Sequence, residues 1–146
     1  MTMGKYQKIA ILTAVAIALI VIFAKPEFLV NKKYEKFQVT PNASVALDKS
    51  IQRQRPIFLE FYASWWITCK EMEPVILALE KKYGDKVDFI IADVDQEKFL
   101  SQRFDINYIP GLFFIGKNGV VLDKEVGKVS QEKLEKQINN LLKNYK

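Results

Sequence analysis

The first stretch of the chain has no hydrophobic period. Ile9 to Ala24, IAILTAVAIALIVIFA, runs 16 residues without a charge and would be apolar on every helical face. Lys5 and Lys8 precede it and Lys25-Pro26 follows. A helix of that length rises about 24 Å, against roughly 30 Å of hydrocarbon core. Tyr6 and Phe28 at the interfaces, with snorkelling lysines, would make up the difference. The pattern predicts a transmembrane anchor or uncleaved signal over 9–24 behind a basic N-terminus, 1–8. A cleaved signal peptide is one alternative, against which Ile22 speaks as a bulky residue three positions back from a cut after Ala24, and a buried helix of the globular domain is another, disfavoured because every face is apolar. Lysines flank both sides, so the positive-inside count does not choose an orientation. The signal-like order of the segments favours a single-pass protein of the cell membrane with its domain outside the cytoplasm.

Beyond 25–36, a charged linker opened by Pro26, the pattern becomes regular. KFQV predicts a short strand, and Pro41-Asn42 opens a helix carrying Val45, Leu47 and Ile51 among polar residues. IFLEFYA, introduced by Pro56, is a central buried strand. A helix follows from about Thr68 to Tyr83, closed by Gly84, with Thr68 and Glu71 spaced as a capping box. VDFIIADVD is a second buried strand and QEKFLSQRF a short amphipathic helix. GLFFIG and VVLDKEV flank Asn118-Gly119, a strong hairpin signal. Ser130 caps a last helix with Leu134, Ile138, Leu141 and Leu142 on one face. Over 37–146 this order describes one α/β domain with an antiparallel hairpin at the sheet edge.

Composition narrows the chemistry. The 146 residues include no histidine and one cysteine. Cys/His zinc sites, Ser-His-Asp triads, Cys-His pairs and intrachain disulfides are excluded. No calcium-loop pattern is present, and neither a metal nor a cofactor is expected. The net charge of +5 is concentrated at the start, where residues 1–36 carry six lysines against Glu27 and Glu35. The other 110 residues hold 16 basic and 15 acidic side chains. Their count demands no basic face for nucleic acid.

The candidate chemistry lies in FYASWWITCK, where an apolar strand end leads through two tryptophans to Cys69 at the start of a helix. PIFLEFYASWWITCKEMEPV resembles the active-site segment of thioredoxin-fold proteins, a strand ending in Trp-Cys-x-x-Cys that runs into a helix. On that resemblance Trp65 matches the family's tryptophan, Cys69 its second cysteine, Lys70 the basic residue after it and Pro74 the helix proline. Glu60 matches the buried acid that assists proton transfer. INYIPGLFFIGKNG matches the cis-proline strand, with Ile109 and Pro110 beside the substrate groove, and Gly127 matches the glycine facing that groove. The resemblance implies a thioredoxin fold, a central mixed sheet flanked by helices. The Ile67-Thr68 pair is similar to that of membrane-tethered thiol-disulfide proteins.

The departures are Trp66, at the position of the first cysteine, and Ile91, where many thioredoxins place a lysine beside the buried acid. Dithiol exchange needs an attacking thiolate and a second thiol to resolve the mixed disulfide. An indole supplies neither, and a buried cysteine behaves as a small hydrophobe. Without a lysine, a buried Glu60 is expected to be neutral, since desolvation disfavours the carboxylate.

Three readings follow. The chain is a thiol-disulfide oxidoreductase disabled by a Cys-to-Trp change at 66. Or it is a non-redox module that holds extended polypeptides beside Trp65, Trp66, Ile109 and Pro110. Or Cys69 alone forms mixed disulfides that an outside thiol releases. The partners implied are protein thiols or disulfides, or extended polypeptide segments, and the membrane through 9–24. The plain alternatives are that both tryptophans pack a core and that Glu60 is a satisfied buried acid.

Overall fold

The computed structural model describes residues 4, 6, 7, 11, 13, 15 and 36–143. The chain divides into two compact units, Met1–Glu35 and Lys36–Lys146. In the first, the described residues from Tyr6 to Val15 are helical, and the Gln7 N–H donates to the Gly4 carbonyl at 2.9 Å. Most of the apolar run 9–24, and all of 25–35, lie outside the described residues. Among the described residues no helix is long and apolar enough to cross a membrane.

The second unit runs α1 (Ala43–Gln52), β1 (Ile57–Tyr62), α2 (Ile67–Tyr83), β2 (Asp88–Asp93), α3 (Lys98–Arg103), β3 (Gly111–Ile115), β4 (Val121–Val126) and α4 (Gln131–Lys143). The sheet order is β2-β1-β3-β4. β1 pairs parallel with β2 and antiparallel with β3, and β3 pairs antiparallel with β4. It is the mixed sheet implied by the resemblance, with the hairpin at its edge.

β1 is buried at all six positions, which a strand tolerates only when both faces are covered. Its alternation sorts the core into two layers. Phe58 and Tyr62 join Met72, Ile76 and Leu79 of α2 and Leu134, Ile138 and Leu141 of α4. Ile57, Leu59 and Phe61 join Ala43 and Leu47 of α1 and Leu100 of α3. Glu60 shares the parity of Phe58 and Tyr62, so its carboxyl is driven into the α2–α4 layer.

Three local expectations are corrected. KFQV is not a strand. Only Thr40 reaches β2, donating its N–H to the Ile91 carbonyl at 2.9 Å while its Oγ1 accepts the Ile91 N–H at 2.9 Å. A side-chain oxygen thus stands where a strand carbonyl would, although Phe37 and Val39 still pack on the core. α2 starts at Ile67 with Trp66 as its N-cap and no side-chain cap, so Thr68 falls inside the first turn and caps nothing. Gly84 ends that helix in a right-handed conformation, φ −62°, not in the left-handed one that makes glycine a terminator.

The hairpin forms as expected, with Gly119 at φ +78° and the Asn118 side chain accepting the Val120 N–H at 3.2 Å. Ser130 caps α4, its Oγ accepting the Lys133 N–H at 3.4 Å. On the outer strand β4, Asp123 Oδ1 accepts the main-chain N–H of Lys124 at 2.9 Å.

Asp88, at the start of β2, ties α1 to the sheet. Its carboxylate accepts from Ser50 at 2.7 Å, Arg53 at 3.1 Å and Arg55 at 2.7 Å. Arg55 also reaches the Asp85 carbonyl at 3.0 Å. Asp88→Ala strands three donors and is expected to cost about 2–3 kcal/mol of unfolding free energy. Urea titration of the variant checks this, and a loss below about 0.5 kcal/mol, the range of neutral surface changes, contradicts it.

Candidate functional site

The C-terminal end of β1 delivers the chain into a tight turn, the Trp66 N–H bonding the Ala63 carbonyl at 3.1 Å. Trp66 is extended, φ −94° and ψ 120°, and α2 begins after it. The first helical bond runs from the Lys70 N–H to the Trp66 carbonyl at 3.2 Å. Both tryptophans stand out from the surface, Trp65 63 % and Trp66 43 % exposed, with their rings edge to face at 6.0 Å. They are not core packing. The Trp65 indole N–H donates to Asp95 Oδ2 at 2.6 Å, which fixes its plane against the loop after β2.

Cys69 lies three residues past Trp66, one turn into the helix, and is wholly buried. A helix N-terminus favours a thiolate, yet burial pushes the Cys69 thiol up to about 11. The Ala63 main-chain hydrogen bond works against that rise, and Glu60 and Glu73 add to it. At pH 7 the thiolate is therefore on the order of one part in ten thousand.

Glu60 is fully buried, and neither carboxyl oxygen has a hydrogen-bond partner. No protein donor meets it. Its register neighbour on β2 is Ile91, an apolar residue that offers no charge. Burial first, then the nearby Glu73, pushes the carboxyl from 4.5 up to about 8. Glu73 accepts the Tyr62 hydroxyl at 2.6 Å, and burial followed by that bond raises the phenol above its ordinary range. Burial of an acid without a donor thus yields a neutral carboxyl at pH 7, held beside a protonated thiol.

The Ile109–Pro110 peptide is cis, the isomer the resemblance implies. The Pro110 carbonyl accepts the Gly127 N–H at 2.8 Å. Gly127 is at φ +80°, and a Cβ there would meet nothing within 4 Å, so its Cα faces open space. A cleft of about 410 Å³ opens beside these residues, with Trp65, Val94, Asp95, Ile106, Tyr108 and Ile109 among its walls. The fold thus gathers Trp65 with Ile109, Pro110 with Gly127, and Glu60 with Cys69. Trp66, Pro110 and Gly127 do not line the cleft.

Sequence reasoning missed Glu73, Asp95 and Tyr108. Glu73 had a signal, since it sits four residues after Cys69 on one helix and so on the same face. Asp95 had a weaker one, its place just past the C-terminal end of a parallel strand. Among the described residues no group of three or more Cys, Asp or Glu side chains is disposed to hold a metal.

The family model described as Thioredoxin matches residues 38–140. The chain belongs to the thioredoxin family. Among curated members of this thioredoxin group, it is 30% identical over 101 residues to the thiol:disulfide interchange protein TxlA homolog of Synechocystis sp., covering 68% of this chain and 56% of that protein. It is 26% identical over 137 residues to the chloroplastic thioredoxin-like protein HCF164 of Arabidopsis thaliana, covering 92% of this chain and 51% of that protein. It therefore spans about half the length of these relatives. Among solved thioredoxin structures, NaTrxh from Nicotiana alata superimposes with a TM-score of 0.60 at 33% identity, over 66% of this chain and 82% of that one.

The Glu60 geometry fixes a pH dependence. A carboxyl raised from 4.5 to about 8 on folding gives stability that is complete below the lower value and is lost as pH rises through the higher one. Across that window the loss is on the order of 5 kcal/mol. Glu60→Gln is expected to flatten the fall, so that the variant unfolds at lower denaturant than the parent at pH 5 and at higher denaturant at pH 8.5. Parallel denaturation curves for the two proteins contradict this.

Proposed function

We propose that the chain is a membrane-tethered thioredoxin-family protein of the thiol-disulfide exchange class in which the two-thiol cycle has been lost. Trp66 stands at the position of the attacking cysteine, and Cys69 is the resolving thiol left without a partner. One observation carries the reading: the only cysteine of the sequence is wholly buried and protonated at neutral pH. Relatives that are thiol:disulfide interchange proteins support the lineage. The apolar run 9–24 supports the tether, and the order of segments supports a domain outside the cytoplasm.

An intact site would work as follows. A thiolate at position 66 attacks a substrate disulfide and one substrate sulfur leaves as a thiolate. Cys69 then attacks the mixed disulfide, freeing the second substrate thiol and closing a 66–69 disulfide. Only the ionised fraction of Glu60 can take up the Cys69 proton in that second step, because burial raises its carboxyl to about 8. Here the first bond cannot form. The full chain is therefore expected to be inert in reduction of a protein disulfide by dithiothreitol. Trp66→Cys is expected to raise the rate at least about a hundredfold, because it restores an exposed thiol at a helix N-terminus. A variant that folds and stays inert shows that the surroundings no longer support exchange.

A second reading is favoured by the cleft beside Trp65 and Ile109, whose exposed aromatic walls suit an extended polypeptide. Trp65 lines this cleft and Trp66, the other tryptophan of the chain, stands edge to face with it, so tryptophan emission reports on it. Titration with a reduced, unfolded polypeptide is expected to shift and quench that emission with saturation, and Trp65→Phe is expected to weaken the affinity about tenfold. Emission that does not respond at high micromolar polypeptide removes this reading and leaves the first untouched.

A further inference from the structure

We propose that the end of the domain carrying Trp66 rests on the bilayer through a ring of exposed apolar side chains, an inference that rests on the anchorage reading above.

The ring is built around the C-terminal end of β1. Trp65, Trp66 and Ile67 follow that strand, and all three are exposed. Tyr108, 75 % exposed, shares the cleft with Trp65. Phe99, 77 % exposed, is next to Lys98, another wall residue of that cleft. Val126, also exposed, is the register partner of Gly111, which pairs with Phe61 near the end of β1. Among the described residues of the domain the exposed aromatic side chains are Trp65, Trp66, Phe99 and Tyr108, and all four lie at this end. Single apolar residues on a surface are ordinary, but a contiguous group marks a contact. A polypeptide held in the cleft does not account for the group, since Trp66, Ile67, Phe99 and Val126 do not line it.

The occupant follows from where the chain enters the domain. The rings of Phe37 and Tyr62 stand 5.0 Å apart, and Thr40 is bonded to Ile91 in the middle of β2. The chain therefore comes in at the Trp66 end and runs inward to α1. Residues 25–35 lie between the apolar run 9–24 and Lys36, and eleven residues reach no more than about 40 Å. With the Trp66 end toward the bilayer that whole reach is free. With the opposite end toward it, about 20 Å would be spent in passing the six residues of β1.

Tryptophan and tyrosine suit the level where acyl chains meet headgroups, because each joins an apolar ring to a polar edge. The charges here are of both signs. Lys128 pairs with Glu71 at 2.9 Å, and Lys98 stands 4.0 Å from Asp95. Recognition thus rests on apolar contact, with the charged groups left among the headgroups, and needs no acidic lipid.

The experiment is tryptophan quenching in the full chain, reconstituted into phosphatidylcholine vesicles. Its two tryptophans are Trp65 and Trp66, so the emission reports on this end. Interfacial side chains reach a depth of about 5–10 Å. Lipid brominated high on its acyl chains is therefore expected to quench the emission more than lipid brominated near the methyl end. Iodide in the buffer is expected to quench it at least about twofold less than in the segment 36–146 free in solution, which carries its own core and sheet. Ile67→Glu puts a charge into the contact and is expected to restore both emission and iodide access, with an unchanged thermal unfolding curve. Val121→Glu, at the far end of β4, is expected to change neither.

Emission indifferent to both brominated lipids overturns the proposal, and a response to reduced, unfolded polypeptide in that case assigns the ring to a polypeptide partner. An Ile67→Glu variant quenched like the parent overturns it too. An alkaline carbonate wash separates the two ideas. Release of the chain removes the anchor and this inference with it, whereas retention without quenching removes the docking alone.

Discussion

The structure depends on one strand that is covered on both faces. β1 gives alternate side chains to two layers, and every functional group is placed relative to that alternation. Phe58 and Tyr62 join the α2–α4 layer, Ile57, Leu59 and Phe61 the α1–α3 layer. Glu60 has no freedom to choose. Its parity sends a carboxyl into an apolar layer with no donor to meet it, and the burial that secures the sheet also keeps that acid protonated. The same layer encloses Cys69. The chemistry of both groups is thus a by-product of packing, set by desolvation more than by any charge partner.

Much of the fold was legible because these signals are local. IFLEFYA and DFIIAD are long apolar runs, Asn118-Gly119 is a turn with a mechanism, and the last helix repeats its apolar face in register. The failures have one cause: each depended on a neighbour. KFQV alternates like a strand, but its pairing with β2 is reduced to Thr40, because a hydroxyl takes the Ile91 N–H. The Thr68–Glu71 spacing matches a capping box, but the turn after Ala63 starts the helix at Ile67 and leaves Thr68 inside it.

The site was legible as a set of positions and less so as an arrangement. Trp65, Cys69, Glu60 and Pro110 came from a motif, and a motif carries no burial values. That Trp65 is pinned by Asp95, and that Tyr62 and Glu73 sit against the buried acid, required the sheet and helix to be assembled.

The bond between Asp123 Oδ1 and the Lys124 N–H bears on how copies of this protein meet. β4 is the open edge of the sheet, and an open edge invites pairing with another chain. The Asp123 side chain occupies an amide that such pairing would need. Two copies joined antiparallel with matching faces must also set like charges opposite each other, Asp123 against Asp123 in one register and Lys124 against Lys124 in the next. Exposed Val121, Leu122 and Val126 would otherwise make this strand adhesive. A single aspartate and its neighbour thus set a charge penalty against stitching the sheets of two copies together.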